Sequence, residues 1–279
     1  MNTPPILYKY IKSDYALTVL QNLKLKLTPP VEFDDPFEFL MRSDDNIQRS
    51  TVKKMMKGRD FKRRLYDAIR AQGKPAGSFK DFKRTFAANR EQYVEEATKN
   101  AQPRISAYVK GPFLTEISSR FAILCLSELR DSILMWSHYA SGHTGIALGI
   151  EIQPHWNMLE VEYRHARVSM KLSLPEDPRS SEENAYRLAK TKSEYWAYEK
   201  EWRAISMLEK LGQEVRDGKV LYFATIQPEI VKEIILGLRF PNRQLAETKA
   251  LCKSKFPQAR LLQAALHENE FGLVMKQVE

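Results

Sequence analysis

The chain has 279 residues, 43% of them hydrophobic and 10% aromatic, which excludes a disordered polyelectrolyte and supplies apolar area for a sizeable core. The formal net charge is +9, no apolar run approaches the roughly 20 residues that a membrane-crossing helix requires, and no Cys/His metal-site spacing occurs. Two cysteines, Cys125 and Cys252, lie far apart among apolar neighbours. With an opening Met1-Asn2-Thr3-Pro4-Pro5 unlike a secretion signal, they point to reduced thiols in a cytoplasmic protein that holds no metal and binds no membrane.

In chain order, Ile6 to Tyr10 reads as a short strand, and Ser13 or Asp14 caps a helix through Tyr15, Val19 and Leu20. Leu23, Leu25 and Leu27 alternate with lysines, the pattern of a half-buried strand, which Pro29-Pro30 ends. Asp34-Asp35-Pro36 favours a turn, with Pro36 placed to open a short helix. Residues 45–119 read as helical. Ile47, Met55, Phe61, Leu65 and Ile69 line one face there, Phe79, Phe82, Phe86 and Tyr93 another, and the Gly73-to-Ser78 cluster breaks between them. This predicts a helical hairpin and a third helix ending near Ser118.

Phe121 to Leu126 is a continuous apolar run, as in a buried central strand. Asp131 or Ser132 starts a short aromatic helix, Gly142 or Gly145 closes the turn after it, and Gly145 to Ile150 returns as a strand. A strand at 158–163, a helix at 182–196, strands near 201–207, 219–225 and 232–236, a helix near 241–255 and strands near 259–266 and 271–276 complete the chain. Sheet-forming segments come from both ends. The fold class is therefore α+β, one domain over 1–279 with a mainly antiparallel sheet and a basic helical insertion at 45–119.

That insertion holds the charge asymmetry. Residues 51–110 carry 16 Lys plus Arg against 6 Asp plus Glu, a net +10, so the rest of the chain is close to neutral. Such a segment suits a nucleic acid or another acidic macromolecule, or is a solvated helical face.

The densest chemistry lies in Tyr195-Trp196-Ala197-Tyr198-Glu199-Lys200-Glu201-Trp202-Arg203. If the run after Tyr198 is extended, Glu199 and Glu201 emerge on one side, where two acids raise each other's pKa, and Trp202 points into the core. The plain alternative is an edge strand with a solvated acidic face, with Arg203 as an ion-pair partner. A second cluster, Met135, Trp136, His138 and Tyr139, suits recognition of a flat ring or simply seals the core.

Leu7-Tyr8-Lys9-Tyr10, Phe33-to-Glu38, Cys125-to-Glu128, Asp131-to-Ala140 and Trp196-to-Arg203, in that order, resemble a bacterial family known as domain of unknown function 2971. The resemblance spans roughly residues 6–40 and 120–240, and the family pattern has Asn where this chain has Asp34. The family is also similar to abortive-infection proteins used against phage. The order Tyr8-Lys9-Tyr10, Leu126-Ser127, Glu199-Lys200-Glu201 further resembles ADP-ribosyltransferases, with Lys9 standing where Arg or His is usual. That resemblance implies NAD as cofactor, with Tyr8, Lys9, Tyr10 and Ser127 contacting it and Trp136, His138 and Tyr139 around its ring. It implies Glu201 as the ribose-binding catalytic carboxylate and Glu199 as the group that orients or deprotonates the acceptor. Two rivals remain open: a nucleic-acid-binding or -processing protein working through the basic segment, and an interaction module without catalysis. The enzyme reading requires Lys9, Ser127 and Glu201 in one cleft.

Overall fold

A computed structural model describes residues 5–42, 45–57, 59–73, 75, 77–169 and 179–278. Met1 to Pro4, Lys74 and Ala76, together with the side chain of Ile47, lie outside the described set.

Strand β1 spans Ile6–Ile11, and helix α1 follows at Ser13–Asn22. Neither Ser13 nor Asp14 caps it: Lys12 holds the N-cap position without a side-chain bond, and Leu23 closes the helix in the left-handed conformation. Strand β2 covers Lys24–Leu27. A 3-10 turn occupies Pro30–Glu32, and Pro36 lies in a turn rather than opening a helix. The Asp35 carboxylate accepts from the Phe37 N–H at 2.8 Å, satisfying that backbone locally.

Five helices follow: α2 (Asp45–Met55), α3 (Arg59–Ala71), α4 (Phe79–Ala88), α5 (Arg90–Lys110) and α6 (Pro112–Ser118). Ser78 caps α4 through a reciprocal box with Asp81, which stops α3 and α4 from fusing. The two predicted apolar faces merge into one cluster, in which Phe61, Leu65, Ile69, Phe79 and Tyr93 surround Met56, Tyr66, Phe82, Phe86 and Val94. Met56 is buried there, and Met55 only partly so.

Strand β3 is Phe121–Ser127, and α7 is Ile133–Tyr139, capped by Ser132, which accepts from the Met135 N–H. Next come β4 (Ile146–Glu151), β5 (Met158–Glu160) and β6 (Glu162–Arg164). Helix α8 (Arg179–Ala189) is shorter than the periodicity suggests, because the chain leaves it for β7 (Thr191–Ser193) and a 3-10 turn at Glu194–Glu199. Then follow β8 (Glu201–Met207), β9 (Gly212–Arg216), β10 (Lys219–Thr225), β11 (Val231–Leu236), α9 (Asn242–Lys255), β12 (Arg260–Leu266) and β13 (Leu273–Gln277). Strand β9 has no counterpart in the apolar pattern. Its hairpin with β10 turns on Asp217-Gly218, both at positive φ, a strong two-residue hairpin signal.

The chain divides into two compact units. One comprises Met1–Glu38, Ser118–His165 and Ala189–Glu279; the other comprises Phe39–Ile117 and Ala166–Leu188 and contains the basic helices. The first unit is built on an eight-stranded sheet in the order β13-β12-β11-β4-β1-β3-β8-β5. All its pairings are antiparallel except β11 with β12, so the fold is α+β with a mainly antiparallel sheet. One face packs against Ala16 and Leu20 of α1, Cys252 of α9 and Phe256 just after that helix. The other carries Tyr8, Tyr10 and Ala147 beneath Met135 and Trp136 of α7.

Candidate functional site

Strands β1 and β4 pair along six residues, whereas β1 and β3 pair only at Tyr8 opposite Ser127. Past that point Lys9 spans the gap, its ammonium donating to the Cys125 carbonyl at 3.0 Å. At the far end of the gap, on the same edge of β3, Thr28 bridges to Ile123, while β8 covers the opposite edge. A cavity of about 440 Å³ opens here, within the usual size range of small-ligand sites. Tyr8, Lys9, Tyr10, Ser127, Tyr139, Glu199 and Glu201 all line it, together with Lys192 and the Phe33-to-Pro36 turn.

The carboxylates arrive by an unexpected route. Glu199 ends a 3-10 turn, and Lys200 is left-handed (φ 46°, ψ 55°), so the run is not extended. A left-handed residue other than glycine costs roughly 1–2 kcal/mol. Ser127 Oγ donating to the Glu199 carbonyl at 2.5 Å, and the Glu128 N–H donating to the Lys200 carbonyl at 3.1 Å, offset that cost. The bend brings both carboxylates to one ammonium: Lys192 Nζ lies 2.5 Å from Glu199 and 3.0 Å from Glu201.

Around this pair stands a buried ion network. Arg203, fully buried, donates from Nε and Nη2 to the two oxygens of Glu201 at 2.8 and 3.0 Å, pairs with Glu38, and gives Nη1 to the Ala189 carbonyl at 3.1 Å. Its guanidinium also lies over the Phe33 ring at 5.4 Å. Tyr139 donates to Glu199 at 2.6 Å. Three carboxylates, Glu38, Glu199 and Glu201, thus meet two cations, Lys192 and Arg203, and the protonation pattern follows from that imbalance. Burial opposes the Glu201 charge, but Arg203 and Lys192 outweigh it and hold this carboxyl well below the usual range. Burial prevails at Glu38, which is raised despite the same two cations. For Lys192 burial is overcome by Glu201, Glu38 and Glu199, so its ammonium is held above the ordinary lysine value. Burial lowers Lys9 and raises the Cys125 thiol.

Two expected ring contacts are not part of the cavity wall. Trp136 is wholly buried, edge-on to Tyr10 with centroids 5.2 Å apart, and its indole N–H donates to the Arg130 carbonyl at 2.9 Å. His138 is exposed on α7. Trp202 does enter the core on the opposite face, with its N–H on Glu128 at 2.7 Å. Sequence reasoning missed Lys192 and Glu38. Lys192 lay in a stretch read as helix, and Glu38 joins Arg203 only through the fold.

Residues 135–204 match a family model described as "Protein of unknown function (DUF2971)". The matched segment contains Tyr139, Lys192, Glu199, Glu201 and Arg203, so most of the ion network lies within it. No curated protein and no solved structure matches the chain.

Proposed function

We propose that the sheet unit is an ADP-ribosyltransferase-like enzyme that uses NAD, acting in phage defence or as a toxin. The observation that carries this reading is the meeting of Lys9, Ser127, Glu199 and Glu201 at one cavity from three separate parts of the chain. In the reaction the C1′–N bond to nicotinamide breaks, and nicotinamide leaves with the electron pair. The ribose carbon, oxocarbenium-like, takes a lone pair from the acceptor, whose proton passes to Glu199 and then to water. Glu201, held ionised by Arg203 and Lys192, supplies fixed negative charge beside that carbon. Tyr139 and Lys192 fix the Glu199 carboxylate, and Ser127 positions the turn between the two glutamates.

The test is nicotinamide release from NAD, followed by mass spectrometry, with Glu201→Gln as comparison. Removing one preorganised electrostatic contact to a transition state typically costs on the order of 10²- to 10³-fold in turnover. A Glu201→Gln protein that releases nicotinamide at the parental rate refutes the assignment.

A second reading has its own observation in the helical unit. Arg63, Arg64, Arg70, Lys80, Lys83 and Arg84 are exposed on α3 and α4, and the Arg63 guanidinium lies 5.1 Å from the Phe79 ring. A nucleic acid is the partner such a face suits. Binding of a DNA or RNA duplex should then fall steeply as salt rises from about 50 to 200 mM. Binding that is absent at low salt, or insensitive to salt, removes this reading.

A further inference from the structure

The sheet register aligns six positions across six strands: Glu201 opposite Ser127, Ser127 opposite Tyr8, Tyr8 opposite Gly149, Gly149 opposite Glu233, and Glu233 opposite Arg260. Directly opposed residues share a face, so this is one polar row beginning at the carboxylate site. Gly149 is its necessary gap. A Cβ there would sit 3.0 Å from both Tyr8 Cε1 and Glu233 Cβ. Without it, the Tyr8 hydroxyl reaches across the empty position to Glu233 at 2.9 Å.

Glu233 is buried, its side chain 2% exposed, yet it serves two guanidiniums. Arg130 Nη1 lies 3.0 and 3.2 Å from its two oxygens, and Arg260 Nη2 pairs with it as well. One carboxylate against two arginines leaves one positive charge over. The contacts to Glu233 use one terminal nitrogen of each guanidinium, and the Arg130 and Arg260 side chains remain 41% and 62% exposed. N–H donors of both are thereby left for a ligand, and the fork geometry of arginine suits a phosphate.

The loop presenting Arg130 is held from several sides. Tyr10 donates to the Leu129 carbonyl at 2.7 Å, Trp136 to that of Arg130 at 2.9 Å, and the Leu129 N–H to Ser127 Oγ at 3.0 Å. Tyr10 and Trp136 therefore position an arginine. Lys9, by contrast, is directed to a backbone carbonyl.

We propose that Arg130 and Arg260, held by Glu233, form an anion-binding site of the sheet unit that takes a phosphate or diphosphate group. At about 4.8 Å per strand, Glu233 stands roughly 19 Å along the row from Glu201. Neither arginine lines the glutamate cavity, so the anion site is a second site on the same sheet. The anion site does not rest on the transferase reading given above.

The experiment is calorimetric titration of the full chain with inorganic pyrophosphate, NAD and nicotinamide riboside, using the parent, Arg260→Ala and Arg130→Lys. Arg260→Ala leaves Arg130 to neutralise Glu233, and Arg130→Lys keeps the charge while losing the fork, so neither strands the buried carboxylate. Both variants should weaken pyrophosphate about tenfold or more, the worth of a charged hydrogen bond, and leave the riboside unchanged. Parental affinity for pyrophosphate in both variants overturns the site, as does equal weakening of the riboside. Pyrophosphate binding that the variants lose, in a protein that never cleaves NAD, supports the anion site and removes the transferase reading. NAD cleavage in a protein whose pyrophosphate affinity both variants leave unchanged does the reverse.

Discussion

Replacing Arg203 by Met tests whether the ion network is balanced as its geometry implies. The side chain is fully buried, and its loss leaves Glu38, Glu199 and Glu201 facing Lys192 alone. Deleting one member of a buried, hydrogen-bonded ion pair costs about 3–5 kcal/mol, because the remaining charge is left desolvated without its partner. At roughly 2–4 °C per kcal/mol for a unit of this size, melting should fall by roughly 10 °C. The loss also has a sign in pH. The folded pKa of Glu201 lies below its unfolded value, so its contribution is present above about pH 4.3 and is lost as pH falls through the folded pKa. Without Arg203 the folded carboxyls hold protons more tightly, and the gap between variant and parent should narrow from pH 7 to pH 4. Trp136, Trp156, Trp196 and Trp202 all lie in the sheet unit, so tryptophan fluorescence in urea reports that unit specifically. A loss under about 1 kcal/mol at pH 7, or a gap that does not move with pH, refutes the balance argued here.

Glu38→Gln should behave oppositely. Burial holds the Glu38 pKa up, so the stability it confers is present in acid and is lost as pH rises through its folded value. The amide keeps an acceptor for Arg203, and stability should stay within about 1.5 kcal/mol of the parent, gaining on it between pH 5 and pH 8 in urea titrations. Gly149→Ala should cost about 1–3 kcal/mol by overpacking against Tyr8 and Glu233. Pyrophosphate affinity in that variant should fall along with the thermal midpoint, because the Tyr8–Glu233 bond is displaced.

The sequence exposes the parts of this fold whose burial is local. The continuous apolar run of β3, the Ser132 cap of α7 and the placing of Trp202 in the core all follow from short-range pattern. The helix read over 182–196 fails because Ala185, Leu188 and Ala189 give helical periodicity only to the end of α8. Pairing of β7 with β6 then claims Thr191 to Ser193, an interaction invisible to any window on one segment. Lys192, which joins the two glutamates, was hidden by that tertiary choice. Glu199 and Glu201 were expected on one side because a strand alternates. They meet because the left-handed Lys200 turns the chain, and Ser127 and Glu128, at and just past the end of β3, hold that turn from more than 70 residues away. The two-residue spacing marked the right carboxylates, and long-range bonds supplied their geometry.

The same logic governs the aromatics. Tyr10 and Trp136 come from segments rich in ring-binding residue types, and composition alone gives them a ligand. Their polar atoms point instead at the carbonyls of Leu129 and Arg130. A buried indole or phenol must place its N–H or O–H on an acceptor. The acceptors available beneath α7 are those of the loop after β3, which fixes Arg130 beside Glu233. The aromatic richness of 131–140 and the arginine pair at the far end of the row are thus one construction. A ligand contact at Arg130 would be felt through Trp136, and indole fluorescence is the physical readout that links the two.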